Sequence, residues 1–138
     1  MTQRHKEKLV GYINSKDWWR TSIPSSQVIN DRGLFYASTY EEAEFYGKPL
    51  NFPFKVNIDC PLIGDNNSIE ILLFGKIVSD DLISVENRFI LDKKIKYAAL
   101  SLGFDSIVLM STSGYSKFID SLRIPRSIEL NVFNPIQD

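Results

Sequence analysis

The side chains that could do chemistry in this chain of 138 residues are limited, because it contains a single histidine and a single cysteine. A zinc site built from Cys and His needs about four such ligands, so the chain cannot form one alone. The only histidine, His5, lies in a charged N-terminal segment, which argues against a Ser-His-Asp or Cys-His catalytic site. Carboxylates, arginine and aromatic side chains must therefore carry any catalysis.

Three segments place such residues in a fixed order along the chain. An arginine follows two tryptophans, an aromatic strand runs into a helix with further aromatic residues, and a glutamate begins an apolar segment near the C-terminus. The residues concerned are Arg20 and Thr21 in the first segment, Phe35, Tyr36 and Ser38 in the second, Phe45 and Tyr46 in the helix that follows, and Glu129 in the third.

This order resembles the ADP-ribosyltransferases, including their bacterial, phage-borne and poly(ADP-ribose)-polymerase-like members. In that family an early strand ends in an aromatic residue followed by His or Arg, a second reads Gly-aliphatic-aromatic-aromatic-Ala/Ser, and a late strand begins with Glu. The resemblance spans about residues 17–137. Its further matched positions are Val132, Phe133 and Gln137 after Glu129, and the segments 54–63 and 102–109.

The resemblance implies an NAD-dependent mono-ADP-ribosyltransferase that releases nicotinamide and modifies a macromolecular target, a protein rather than a nucleic acid. Cleavage of the nicotinamide–ribose bond develops positive charge on the ribose, which a fixed carboxylate can stabilise. Glu129 is expected to supply that carboxylate, and no metal is needed. The size of the chain is similar to that of phage effectors of this family, anti-CRISPR members among them, and of small bacterial toxins.

The remaining site residues follow from the same resemblance. One aromatic residue of the strand and one of the helix are expected to sandwich the nicotinamide ring. An arginine is expected to position the diphosphate or the ribose, a backbone group to contact the nicotinamide amide, and a hydroxyl to brace the site. The candidates for the aromatic pair are Phe35 or Tyr36 with Phe45 or Tyr46. Arg20 is the candidate arginine, Thr21 supplies the backbone contact, and Ser38 or Thr39 supplies the hydroxyl.

Two departures from the family pattern leave alternatives open. The arginine-modifying branch carries Glu-x-Glu in its catalytic strand, and another branch Gln-x-Glu, whereas Ser127 stands two residues before Glu129 here. An inactive binding or inhibitor protein acting on a host protein complex, or an NAD glycohydrolase, therefore remains an alternative. A second Ser-Ile-Glu, at 68–70, makes Glu70 a rival catalytic carboxylate, although the residues after Glu129 match the family better.

The elements that must position these residues indicate an α+β fold in a single domain, 1–138, with 1–16 as a candidate N-terminal extension. Apolar alternation, β-branched content and flanking Gly or Pro predict five to seven strands with two or three helices. The resemblance implies split mixed or antiparallel sheets. Strands are predicted over 17–22, 33–39, 52–61, 69–77, 104–110 and within 124–135, helices over 40–47 and 91–102, a helix or strand over 5–16, and loops at 24–31 and 111–116.

Composition excludes several other classes of protein. Hydrophobic residues make up 43% and charged residues 24%, which is typical of a globular domain. The formal net charge of −1 argues against broad electrostatic binding to nucleic acid. The N-terminus shows no signal peptide and no apolar run approaches the roughly 20 residues of a membrane span, so we expect a cytoplasmic protein of the producing or host cell.

Overall fold

The fold was taken from a computed structural model of the chain, which describes residues 1–21, 32–79 and 84–133. In chain order its elements are α1 (Gln3–Ser15), β1 (Leu34–Ala37), α2 (Tyr40–Ala43) with a 3₁₀ turn at Glu44–Tyr46, β2 (Pro61–Gly64), α3 (Asn66–Phe74), α4 (Val85–Ser101), β3 (Ser106–Leu109), α5 (Thr112–Ser121) and β4 (Glu129–Val132). Helices and a mixed sheet in one small unit confirm the predicted α+β class.

The named strands form one four-stranded sheet in the order β1-β4-β3-β2. Strand β4 is antiparallel to both of its neighbours, and β2 is parallel to β3. Two rows of directly paired residues cross the three strands β1, β4 and β3: Ala37, Glu129 and Leu109 in one, and Phe35, Asn131 and Ile107 in the other. Residues of β4 that alternate with these rows point to the opposite face of the sheet.

Each face of the sheet packs against a different pair of helices. Leu130 and Val132 of β4 belong to a core that also contains Leu9 and Ile13 of α1 and Phe118 of α5. On the other face, α3 and α4 pack over β2 and β3 in a second core. Burying one large apolar side chain contributes about 1.5–3 kcal/mol, so these two cores stabilise the sheet from both faces. The β1–β4 half of the second face stays open to a cavity.

The prediction of a strand over 69–77 is wrong, because this segment forms helix α3. The Asp65 carboxylate caps the helix by accepting the Ser68 N–H at 2.9 Å. Gly75 ends it with φ +76°, a left-handed conformation that glycine adopts without steric strain. The β-branched content favours a strand, whereas the two capping residues, Asp65 and Gly75, favour the helix that forms.

The prediction of a loop at 111–116 is also wrong, because α5 begins there. Ser111 Oγ accepts the Gly114 N–H at 3.1 Å and caps the first turn, and Phe118, which is fully buried, anchors the helix on the core. The segment 5–16 lies largely in α1, which Thr2 and His5 start with a reciprocal capping box. The described residues thus contain five α-helices, against the two or three predicted.

The predicted strands 17–22 and 52–61 are reduced to isolated bridges. Trp18 pairs with Phe54 and Trp19 pairs with Ala37, so the first segment lies beside β1 without forming a continuous ladder. Trp18 is fully buried and its indole N–H donates to the Ile13 carbonyl at 2.9 Å. Pro61 begins β2, where the sequence pattern predicted that it would end a strand.

The other predicted elements are confirmed within a few residues. Strands β1, β3 and β4 lie inside the predicted segments 33–39, 104–110 and 124–135, and α4 contains most of 91–102. The predicted helix 40–47 is α2 with its 3₁₀ turn. The predicted loop 24–31 and Gln137 lie outside the described residues.

Candidate active site

A cavity of about 610 Å³ lies between the open part of the sheet and helix α4. This volume falls within the range of about 300–1,000 Å³ that is typical of small-molecule sites. Four aromatic and four charged residues line it, together with apolar residues of the sheet. The aromatic and charged members are Trp19, Phe35, Tyr36, Phe89, Arg32, Arg88, Asp92 and Glu129.

Glu129, the carboxylate that the sequence resemblance selects, lies at this cavity. Glu129 is the first residue of β4, paired with Ala37 on one side and Leu109 on the other. The next residue, Leu130, is fully buried in the opposite core, so strand alternation directs the carboxylate to the cavity face. A half-buried carboxylate on a central strand is held at a fixed position, which is what stabilisation of a developing charge requires.

The aromatic candidates separate into different environments. Phe35 and Tyr36 both contribute to the lining of the cavity, but Tyr36 is only 5% exposed and its ring packs in the core, 6.0 Å from the Phe54 ring. Phe45 is 89% exposed and does not line this cavity. The Tyr46 side chain lies outside the described part of the structure. Trp19, whose ring meets Tyr40 edge-on at 5.6 Å, is a cavity aromatic that sequence reasoning did not select.

Sequence reasoning also missed a charged cluster at one part of the cavity. Arg32 Nη1 lies 3.0 Å from Asp92 Oδ2, and Arg88 Nε lies 3.3 Å from Asp92 Oδ1. The Arg32 guanidinium stacks on Phe89 at 4.0 Å and on Phe35 at 5.3 Å. Burial raises the pKa of Asp92 above its ordinary 3.8, and the two arginines oppose that shift. These three side chains carry a net positive charge.

The i,i+4 spacing of Arg88 and Asp92 was the available sequence signal for this cluster. Arg32 reaches it only through the tertiary fold. The Asn131 side-chain N–H donates to the Arg32 carbonyl at 2.8 Å and fixes the turn before β1. Asn131 follows Glu129 by two residues, roughly 7 Å along the strand, so β4 links the carboxylate and the arginine cluster.

Arg20 is not placed at the cavity. Its guanidinium stacks on Phe54 at 5.1 Å and on Tyr36 at 5.7 Å, on the other side of the sheet. The bridge between Trp19 and Ala37 directs Trp19 to the cavity face, and the residue after it consequently points away. Thr21 does line the cavity, and its hydroxyl donates to the Ala43 carbonyl at 2.6 Å.

Ser38 and Thr39, the two candidate bracing hydroxyls, each hydrogen-bond the backbone near the cavity. The buried Ser38 hydroxyl donates to the Ile128 carbonyl at 3.0 Å and accepts the Ile128 N–H at 2.9 Å. Thr39 caps α2 by accepting the Glu42 N–H at 3.1 Å. Since Ile128 precedes Glu129, the two Ser38 hydrogen bonds fix the backbone immediately before β4.

Glu70 is a poor match to the role of catalytic carboxylate. It lies on α3, is 1% exposed, and is not among the residues that line the cavity. Its Oε1 accepts the backbone N–H groups of Val78 at 2.9 Å and Ser79 at 2.7 Å. Glu70 therefore holds the chain that follows α3, which is a structural role.

A second cavity, of about 640 Å³, adjoins the first. Four residues line both cavities: Ala37, Asn66, Leu109 and Glu129. The second cavity is otherwise lined by residues of α2, of the segment before β4 and of the segment after β3, with Glu42, Phe45, Ser111, Arg126 and Ser127 among them. Ser127 Oγ donates a hydrogen bond to Glu42 Oε2. Glu129 thus lies where the two cavities meet.

No family model matches the chain, and no curated protein or solved structure is significantly similar to it. Across 1–21, 32–79 and 84–133, no three His, Cys, Asp or Glu side chains come together as a metal site. None of the helices in those ranges has the length and apolar character that crossing a membrane requires.

Proposed function

We propose that this chain is an NAD-dependent mono-ADP-ribosyltransferase that modifies a protein target. The observation that carries the proposal is one cavity that combines the Glu129 carboxylate with a paired-arginine cluster and aromatic walls. The cluster and the carboxylate are held by the same strand, β4, through Asn131. This arrangement suits a ligand that carries phosphate at one position and a ribose at another.

The chemical character of the cavity fits NAD. The diphosphate of NAD requires cationic donors, which Arg32 and Arg88 offer, because guanidinium groups bind phosphate with fixed geometry. Its flat nicotinamide ring requires an apolar or aromatic surface, which Phe35 and Trp19 offer. Asp92 holds both arginines in place before a ligand arrives, so less side-chain entropy is lost on binding.

Bound NAD supplies a bond between ribose C1′ and a positively charged nicotinamide, and cleavage of that bond releases neutral nicotinamide. Glu129 accepts a hydrogen bond from a ribose hydroxyl and stabilises the positive charge that develops on the sugar. Phe35 packs on the nicotinamide ring, and the Ser38 hydrogen bonds keep β4 in place. Each of these steps uses a residue of the chain without a metal ion.

The decisive experiment measures nicotinamide release from NAD by the purified chain and by the variant Glu129→Gln. The variant keeps the size of the side chain and removes its charge, so we expect release to fall by about 100-fold or more. Glu41→Gln, an exposed glutamate on α2 that lines neither cavity, is the matched control and should retain full activity. Wild-type rates in Glu129→Gln would refute the proposal.

Binding is tested separately by thermal unfolding with excess NAD. A ligand at 100 times its Kd stabilises the folded state by about 2.7 kcal/mol, which raises the melting temperature by several degrees. No shift, together with tight binding to a host protein, would favour the inhibitor alternative.

The serine at position 127 favours an NAD glycohydrolase as the second candidate function, because the position two residues before Glu129 lacks the carboxylate that would engage a target. Incubation with labelled NAD and a cell lysate separates the two activities. Label on a protein supports the transferase, whereas free ADP-ribose alone supports the glycohydrolase.

A further inference from the structure

Asp92 is the carboxylate between the two arginines of the first cavity, and each of its oxygens contacts a different one. Oδ2 lies 3.0 Å from Arg32 Nη1, and Oδ1 lies 3.3 Å from Arg88 Nε. The Asp92 side chain is 9% exposed, so water contributes little to the stability of its negative charge. The ionised state of Asp92 therefore depends on the two guanidinium groups.

The fold holds the two arginines to different degrees. The Arg32 side chain is 15% exposed and stacks on Phe89 at 4.0 Å and on Phe35 at 5.3 Å. The Arg88 side chain is 41% exposed and precedes Asp92 by one turn of α4. Both arginines line the cavity, so an anion bound there contacts the same groups that stabilise the Asp92 carboxylate.

Burial and the arginines act on Asp92 in opposite directions. Burial favours the neutral carboxyl group and raises the pKa of Asp92, whereas Arg88 and Arg32 favour the carboxylate. An anion that accepts hydrogen bonds from the arginines weakens their effect on Asp92, and its own charge repels the carboxylate. Both changes favour protonation of Asp92, which leaves the positive charge of the arginines available to the anion.

Resting on the function proposed above, we propose that the diphosphate of NAD binds Arg32 and Arg88 together with the uptake of a proton at Asp92. Binding and protonation then strengthen each other by the same factor, because linkage is reciprocal. A single carboxyl group takes up at most one proton, so the affinity changes by at most about tenfold for each pH unit.

The direction of the pH dependence follows from the same linkage. The anion raises the pKa of Asp92 in the complex above that in the free protein, because it opposes the ionised state. The affinity therefore rises as the pH falls through the pKa of the complex, and it becomes constant again below the pKa of the free protein.

The other groups that titrate near the cavity are few. The single histidine, His5, lies on α1 and meets the Phe118 ring at 5.3 Å, in the opposite core. The lining residues that β1, β3 and α3 contribute carry no charge, and Lys93, next to Asp92 along α4, is exposed and does not line the cavity. Glu129, from β4, is the second lining carboxylate. Its titration is therefore the one to separate from that of Asp92.

Calorimetric titration with ADP-ribose tests the proposal, because this probe carries the diphosphate of NAD without the bond that is cleaved. Each of its phosphates has one ionisable oxygen, which stays ionised across the pH range used. Titrations in two buffers of equal pH and different heats of ionisation measure the protons taken up. We expect the wild type to take up a proton and to bind about tenfold more tightly at about pH 5 than at about pH 7.5. Binding without proton uptake throughout that range would overturn the proposal.

Three variants assign the proton. Asp92→Asn keeps the shape of the side chain and cannot ionise, so we expect no proton uptake and an affinity that does not change with pH. Asp120→Asn, at an exposed position of α5 that lines neither cavity, is the matched control and should behave as the wild type does. Glu129→Gln should keep the proton uptake. Uptake that persists in Asp92→Asn, or disappears in Glu129→Gln, would overturn the assignment to Asp92. Urea unfolding checks the fold of each variant, and the wild-type titration decides where Asp92→Asn does not fold.

Failure of this proposal is distinguishable from failure of the proposed transferase. Nicotinamide release that depends on Glu129, with no proton uptake on binding of ADP-ribose, would overturn the role of Asp92 and leave the transferase standing. Proton uptake that depends on Asp92, with no nicotinamide release from NAD, would support the anion site and refute the transferase. An absence of ADP-ribose binding would overturn the diphosphate site and this proposal with it.

Discussion

The turn that carries Arg32 into the cavity depends on a glycine whose replacement has a calculable effect. Gly33 has φ +95°, a conformation that L side chains rarely adopt. A Cβ atom at this position would overlap Asn131 Oδ1 and lie 2.9 Å from Asn131 Cγ. The Asn131 amide also donates to the Arg32 carbonyl at 2.8 Å, so it cannot move aside without losing that hydrogen bond. We predict that Gly33→Ala destabilises the fold and displaces Arg32.

The magnitude follows from two separable contributions. A non-glycine residue in a left-handed conformation costs about 1–2 kcal/mol, and a buried polar group that loses its partner costs about 1–3 kcal/mol. Gly75 isolates the first contribution, because its φ is +76° and no atom lies within 4 Å of the Cβ position. We therefore expect the free energy of unfolding to fall by about 1 kcal/mol in Gly75→Ala and by about 3 kcal/mol in Gly33→Ala.

Urea unfolding of the single variants measures both values, with Gly11→Ala as the control. Gly11 lies inside helix α1 with nothing within 4 Å of its Cβ position, so alanine there should stabilise by about 0.5–1 kcal/mol. A double variant, Gly33→Ala with Asn131→Ala, should recover the part of the loss that comes from the overlap. Equal losses in Gly33→Ala and Gly75→Ala would refute the reasoning, because the contact with Asn131 would then contribute nothing.

Three further predictions test the site directly. Arg88→Gln should weaken NAD binding about tenfold in a calorimetric titration, while Lys94→Gln on the exposed side of α4 should not; equal affinities would exclude a phosphate site at this arginine. Ser38→Ala should lower the free energy of unfolding by about 2 kcal/mol, because two buried hydrogen bonds to Ile128 are lost; a loss below about 0.5 kcal/mol would contradict their importance. Burial raises the pKa of Asp92, so its stabilising contribution is present below pH 3.8 and is lost as the pH rises through the raised pKa. The free energy of unfolding of the wild type, relative to that of Asp92→Asn, should therefore decline as the pH rises from 3.8 through the raised pKa. A difference that does not change with pH would contradict a raised pKa of Asp92.

The parts of the site that lie on single strands could be predicted from the sequence. Strand alternation, which is visible in the sequence, predicts that Phe35 and Tyr36 point to opposite faces, and pairing with β4 places Phe35 on the face of Glu129 and Asn131. The same alternation explains why Arg20 points away, since Trp19 occupies the cavity side of the bridge to Ala37. The sequence pattern identified the segment 17–22 as a strand. Which of its side chains face the cavity follows only from the bridge between Trp19 and Ala37, which the structure shows.

The residues that the sequence did not predict come from elements packed against the sheet. Arg88 and Asp92 reach the cavity because α4 crosses over it, and Glu42 reaches Ser127 because α2 folds back towards the start of β4. Local patterns carry no information about such contacts. The helix at 66–74 departs from the predicted strand for a different reason: the β-branched content of the run favours a strand, whereas the residues at its two ends, Asp65 and Gly75, cap a helix.

The register of β4 is what makes one carboxylate available to both cavities. Among the residues that the structure describes, Glu129 is the one titratable side chain that lines both. A shift of β4 by one residue would turn Glu129 into the core formed with α1 and α5, and would turn Leu130 into the cavity. The paired hydrogen bonds between Ser38 and Ile128 oppose that shift at the residue immediately before Glu129. The hydrogen bonds of Ser38 and the proposed function of Glu129 are therefore coupled. A variant that loses these hydrogen bonds should lose activity because the Glu129 carboxylate is displaced, although its charge is unchanged.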